Sequence, residues 1–66
     1  MTLGEKIEKA RRRKGLYRRD LAKITGISYN ALKHYEYGDS EPCLSYAVRI
    51  CDALGISLDY LARADK

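Results

Sequence analysis

Residues 18–37 read RRDLAKITGISYNALKHYEY, and punctuation and periodicity within this stretch decide the fold. Gly26 falls where the backbone must turn sharply, a conformation open to glycine at little cost. Ser28, two residues on, is a good helix N-cap, because its hydroxyl accepts one of the free amides of a first turn. A helix over Arg18 to Thr25 therefore ends, and a second begins only three residues later. On the first, Leu21, Ala22 and Ile24 are expected to face inward. On the second, a wheel at about 100° per residue with Tyr29 at zero places Lys33, Tyr37, Asn30 and His34 across about 0–140°, and Ala31, Tyr35 and Leu32 at about 200–300°. One side is core and the other is presented.

Working outward, Thr2-Leu3-Gly4-Glu5 is a capping box, in which a hydroxyl and a carboxylate three residues apart satisfy free amides at a helix start. Leu3, Ile7, Ala10 and Lys14 then share one face, the Lys14 stem snorkelling at its end, and Gly15 supplies a stop. The first helix is thus predicted over about Thr2 to Lys14. Gly38 ends the helix begun at Ser28, and Asp-Ser-Glu-Pro forms a loop. Leu44, Ala47, Val48, Cys51 and Leu54, with Ile50 alongside, keep helical period up to Gly55, and Ser57 caps a last short helix through Leu58 and Leu61. No stretch alternates like a strand. The expected fold is all-α with five helices in one domain over residues 1–66, and two helices joined by a three-residue turn containing glycine, at about 18–37, form the helix-turn-helix signature.

Composition narrows the function. With 45% hydrophobic and 33% charged residues the chain is globular rather than disordered. It carries no apolar run near the roughly 20 residues of a membrane span, nor the pattern of a secretory signal, so a cytoplasmic protein is expected. Cys43 and Cys51, eight apart on one expected helix, would lie about 12 Å apart, beyond the roughly 7 Å limit of a disulfide. They are expected to be reduced packing residues. With His34 the single histidine, no zinc spacing exists, and no nucleophile and base are paired. Neither enzymatic activity, metal, cofactor nor small-molecule substrate is expected. Charge is lopsided: through Tyr35 there are ten Lys and Arg against three acids, a net +7, and from Glu36 onward three against six, a net −3. The first part looks suited to a polyanion.

The presented side of the third helix carries groups that match base edges. Asn30 has the donor and acceptor for bidentate pairing with adenine, Lys33 a donor for guanine, and Tyr29 a hydroxyl or a ring edge for a thymine methyl. His34 is expected either at a phosphate or at the rim.

These residues bear a family resemblance. Leu3-Gly4-Glu5-Lys6-Ile7, Arg11, Gly15-Leu16, Leu21-Ala22, Gly26-Ile27-Ser28, Leu32, Tyr35-Glu36-Tyr37-Gly38, Pro42, Leu44 and Ala53 to Leu61 resemble the phage-repressor and Cro-like (Xre-type) family over nearly the whole chain. The resemblance implies a regulator of transcription, most often a repressor, that binds double-stranded DNA as a homodimer on a two-fold operator. It implies base contacts at Tyr29, Asn30, Lys33 and His34, and phosphate contacts at Arg18, Ser28 and Tyr37. It also implies a partly buried ion pair of Arg11 with Glu36, so that Arg11→Ala destabilises strongly by leaving Glu36 unpaired.

The chain departs from that pattern at three places. Tyr17 stands where a small capping residue is usual, which predicts a less firm start to the second helix. Arg18 replaces a common Gln. Asp39 and Glu41 occupy a loop that often holds basic groups, which argues against phosphate contact there. Tyr46, Tyr60 and Leu61 are expected either at a dimer surface or completing the core. The competing reading is a module of the same fold that docks on another regulator, a toxin or a polymerase.

Overall fold

A computed structural model describes residues 1–63. Its helices are α1 (Leu3–Arg13), α2 (Arg18–Thr25), α3 (Tyr29–Tyr37), α4 (Leu44–Leu54) and α5 (Leu58–Ala62), with no strand among the described residues. α1, α3 and α5 begin at the caps legible in the sequence, Thr2, Ser28 and Ser57. The Thr2 hydroxyl accepts from the Glu5 amide, while the Glu5 carboxylate accepts from the Thr2 amide at 2.8 Å. That backbone hydrogen bond, with the Thr2 hydroxyl's, holds the Glu5 pKa below its ordinary value. The Tyr17 side chain caps nothing, but the Asp20 carboxylate accepts from the Tyr17 amide at 2.8 Å, so half a capping box secures the start of α2.

Ile7, Leu21, Leu32 and Ile50 are fully buried, one each from α1, α2, α3 and α4. Around them close Ala10, Ile27, Tyr35, Ala47, Cys51, Leu54 and Leu61. α1 packs on α3, α2 on α3 and α4, and α5 on α1 and α4. The approach of α1 to α3 is close enough to require glycine. A Cβ at Gly4 would stand 2.6 Å from the Glu36 carbonyl oxygen and press on that of Tyr35.

Several expectations about the core are corrected. Ile24 is 58% exposed. The buried face of α2 follows Leu21 and Thr25, one turn apart, and Ile24 lies about 100° round from Thr25, lining an open groove with Arg49, Asp52 and Ala53 of α4. On α4 the buried residues are Ala47, Ile50, Cys51 and Leu54. Leu44, 72% exposed, and Val48, 40% exposed, stand one turn apart on its outer side. Cys43 is no packing residue: it is the exposed N-cap of α4, and only Cys51 is buried. Leu61 belongs to the core rather than to any surface.

Candidate nucleic-acid interface

The turn between α2 and α3 is held by its own side chains. Gly26 adopts φ 73°, the left-handed region, and its amide donates to Ala22. The buried Thr25 hydroxyl donates to the Leu21 carbonyl at 2.7 Å and accepts from the Ile27 amide at 3.2 Å. Ile27 is itself buried, and Ser28 Oγ then accepts from the Ala31 amide at 3.1 Å, starting α3. Each local device removes a free backbone group from the bend, so the entry angle of α3 is firmly set.

The inner side of α3 is Leu32, Tyr35 and Glu36. Only 1% of the Glu36 side chain is exposed, and Arg11 meets it with two parallel bonds, Nε to Oε2 at 2.8 Å and Nη2 to Oε1 at 3.1 Å. The third arm of Arg11 donates to the Leu16 carbonyl at 2.9 Å. The pair implied by the resemblance is therefore present, but it is not alone. Arg18 Nη2 and Nε reach the same Oε1 at 3.0 and 3.3 Å, leaving the Arg18 side chain 16% exposed. Burial works against the Arg18 charge, but the hydrogen bond and charge of Glu36 outweigh it and raise its pKa. Two guanidiniums thus converge on one carboxylate.

The outer side of α3 presents the row expected from the sequence. Tyr29, Asn30, His34 and Tyr37 are exposed and Lys33 is half-buried. Their company differs from one residue to the next. The Tyr29 hydroxyl accepts from Arg18 Nη1 at 3.4 Å, and the rings of Tyr29 and Tyr37 each lie 5.5 Å from the Arg18 guanidinium carbon. Lys33 Nζ sits 6.0 Å from the Tyr37 ring centre. His34 Nδ1 is 3.1 Å from Asp39 Oδ2, so the acidic loop reaches the end of the row. Arg18 was expected at phosphate; three of its five N–H bonds are engaged within the protein, and two remain.

Sequence reasoning missed two features. Arg11, Tyr17, Arg18, Arg19 and Tyr29 line an open groove at the starts of α2 and α3, with Arg19 over the Tyr17 ring at 5.1 Å. The run Tyr17-Arg18-Arg19, an aromatic beside two cations, was the available signal. Lys6 is buried, its Nζ donating to the carbonyls of Arg63 at 2.6 Å and Tyr60 at 3.1 Å while lying 5.2 Å from the Tyr60 ring. A cation at the carbonyl end of α5 suits the helix dipole, but nothing local distinguishes Lys6 from a surface lysine. Lys6 and Arg11, both counted in the basic half, therefore serve the interior, and Arg18 serves it in part.

Two helices fixed at a glycine turn, the second seated on its inner side and polar on its outer side, define a helix-turn-helix protein. The chain belongs to the helix-turn-helix family HTH_3, whose model matches residues 7–61. It is 33% identical over 60 residues to YonR, named as an SPbeta prophage-derived HTH-type transcriptional regulator of Bacillus subtilis strain 168, a match covering 91% of this chain and 56% of that protein. It is 34% identical over 61 residues to YqaE, named as an HTH-type transcriptional regulator of the same organism, covering 92% and 53%. The chain thus spans about half the length of these relatives. Among solved structures it is similar to the P22 c2 repressor in complex with a synthetic operator, with TM-score 0.92, 29% identity and 98% of both chains covered.

Proposed function

We propose that the chain is the DNA-binding part of a transcriptional repressor, laying α3 in the major groove and acting as a dimer on a two-fold operator. The observation that carries this is the outer row of α3, with Tyr29 and Asn30 exposed and Lys33 half-buried on a helix whose other side is locked by Leu32, Tyr35 and Glu36. The names of the two relatives and the operator-bound state of the P22 c2 repressor support it. Asn30 pairs with adenine and Lys33 donates to guanine, while Tyr29 and His34 complete the row. Ser28 uses its proton for phosphate, since its oxygen already accepts from Ala31. Tyr37 and the two unused N–H bonds of Arg18 add further backbone contacts.

A single short helix covers too few base pairs to single out a genomic site, so two copies act together, their recognition helices about 34 Å apart. Tyr46 and Tyr60 are the candidates left for the surface between copies. Such a regulator works in the cytoplasm and needs neither a cofactor nor an enzymatic step; no helix among the described residues is long and apolar enough to cross a membrane.

Selection of bound sequences from random duplex DNA, followed by titration with salt, tests the reading. The expected result is a palindromic consensus and an affinity that falls steeply between low and moderate salt. Absence of any selected sequence, together with salt-insensitive capture of a protein partner, would replace it with the docking-module reading.

A further inference from the structure

The cluster around Arg18 carries an inference that rests on the DNA-binding reading and sharpens it. We propose that Arg18 is a positioning residue for Tyr29, and that it makes the Tyr29 hydroxyl a hydrogen-bond donor aimed at an acceptor on a base edge. The argument begins at Glu36. Its buried carboxylate holds two N–H bonds of Arg18, which fixes the plane of the guanidinium. Its carbon lies 5.5 Å from the ring centres of both Tyr29 and Tyr37, within the range of cation–π attraction. Its remaining nitrogen, Nη1, donates to the Tyr29 hydroxyl.

A phenol has one proton and two lone pairs. With one lone pair facing a guanidinium N–H, the proton is turned away from Arg18. The adjacent positive charge also repels any further donor that approaches the oxygen. The hydroxyl therefore favours acceptors in the major groove: guanine O6 and N7, adenine N7 or thymine O4. Cytosine presents only its amino donor there, and is the base this arrangement rejects. Arg18 acts on sequence preference through Tyr29, an effect distinct from that of a phosphate contact, which is uniform over all sequences.

Tyr29→Phe, Arg18→Lys and their double variant separate the two roles. Arg18→Lys retains the positive charge but loses the planar fork that joins Glu36 to Tyr29, and the Arg11–Glu36 pair remains to hold the fold. Affinity is measured by fluorescence anisotropy over a range of salt, on the selected consensus duplex and on duplexes with cytosine placed at each consensus position. Tyr29→Phe is expected to lose roughly five- to tenfold on the consensus, the worth of one hydrogen bond, and to abolish discrimination against cytosine at one position. Arg18→Lys is expected to lose discrimination at that same position with an unchanged salt slope, and the double variant to bind no more weakly than Tyr29→Phe alone. In the free protein, nuclear Overhauser contacts from the Arg18 side chain to the rings of Tyr29 and Tyr37 are expected. An Arg18→Lys protein that keeps full discrimination, or that loses affinity equally on every duplex, overturns the proposal while leaving the DNA-binding reading intact. A wild-type protein that selects no duplex overturns the reading itself.

Discussion

The two sides of α3 use similar residue types to opposite ends. Where α1, α2 and α3 meet, the Glu36 carboxylate and the guanidiniums of Arg11 and Arg18 consume one another's hydrogen-bonding capacity, and no buried side-chain nitrogen or oxygen among the described residues lacks a partner. On the far side, Tyr29, Asn30 and His34 stand in solvent, with much of their capacity unspent. A surface that is to read another molecule must keep its groups open, yet must not lose its geometry. The junction supplies the rigidity that the open face lacks, with Arg18 touching both.

The sharpest break in that comparison is at the junction. Glu36→Ala would leave two guanidiniums facing each other, one almost wholly buried, and removal of one partner of a buried pair costs about 3–5 kcal/mol. For a domain of this size that is a large share of its stability, so chemical denaturation should show an early midpoint or no folded baseline. Arg11→Ala should cost less, because Arg18 still covers Oε1; equal losses for the two would mean that Arg18 contributes nothing to the carboxylate. Next in size is Gly4→Ala. The new Cβ would meet backbone carbonyls of Tyr35 and Glu36, which cannot move aside as a side chain would. Overpacking of this kind costs about 1–3 kcal/mol, and the melting temperature of that variant should fall although alanine is the better helix former.

How far the sequence reached follows the same division. The helix limits were legible because caps and glycine stops are local: Thr2, Ser28 and Ser57 lie three residues before the amides their hydroxyls accept from, and Gly26 alone announces the bend. The presented row was legible because α3 turns a regular face to the core. What was not legible depends on partners distant in sequence. Lys6 is buried because α5 ends its carbonyls beside it, and Arg18 turns inward because Glu36 lies 18 residues on; neither relation leaves a mark at the cation itself. Ile24, Leu44 and Val48 were assigned inward because they are apolar at helical spacing. A core with four fully buried side chains cannot enclose every such residue, and which ones remain outside is settled by helix packing.

On the presented face the expected effects move from stability to recognition. Asn30→Ala removes an exposed side chain, and its denaturation curve should overlay that of the wild type within about 0.5 kcal/mol. Binding to the selected site should weaken by about 1–3 kcal/mol, with preference relaxed at a single position. A variant that instead weakens on every sequence alike would place Asn30 on the phosphate backbone.

The smallest effect comes from a hydrogen-bonded pair on the presented face that is close to the junction's in distance and unlike it in burial. His34 and Asp39 lie 3.1 Å apart, little further than Arg11 and Glu36, yet their side chains are 54% and 62% exposed. Water screens such a pair, and exposed pairs contribute about 0–1 kcal/mol, so Asp39→Asn should leave folding unchanged. Its consequence lies in the charge it removes. Asp39 is a negative group at the end of the row that faces DNA in this reading, where it opposes phosphate. Removing it should strengthen binding to every duplex by a small and equal factor, more at low salt than at high, because exposed charges are felt only within about 10 Å at 0.1 M salt. Unequal gains among duplexes would show instead that Asp39 acts by orienting His34 toward a base, and the exposed pair would then share the positioning work proposed for Arg18.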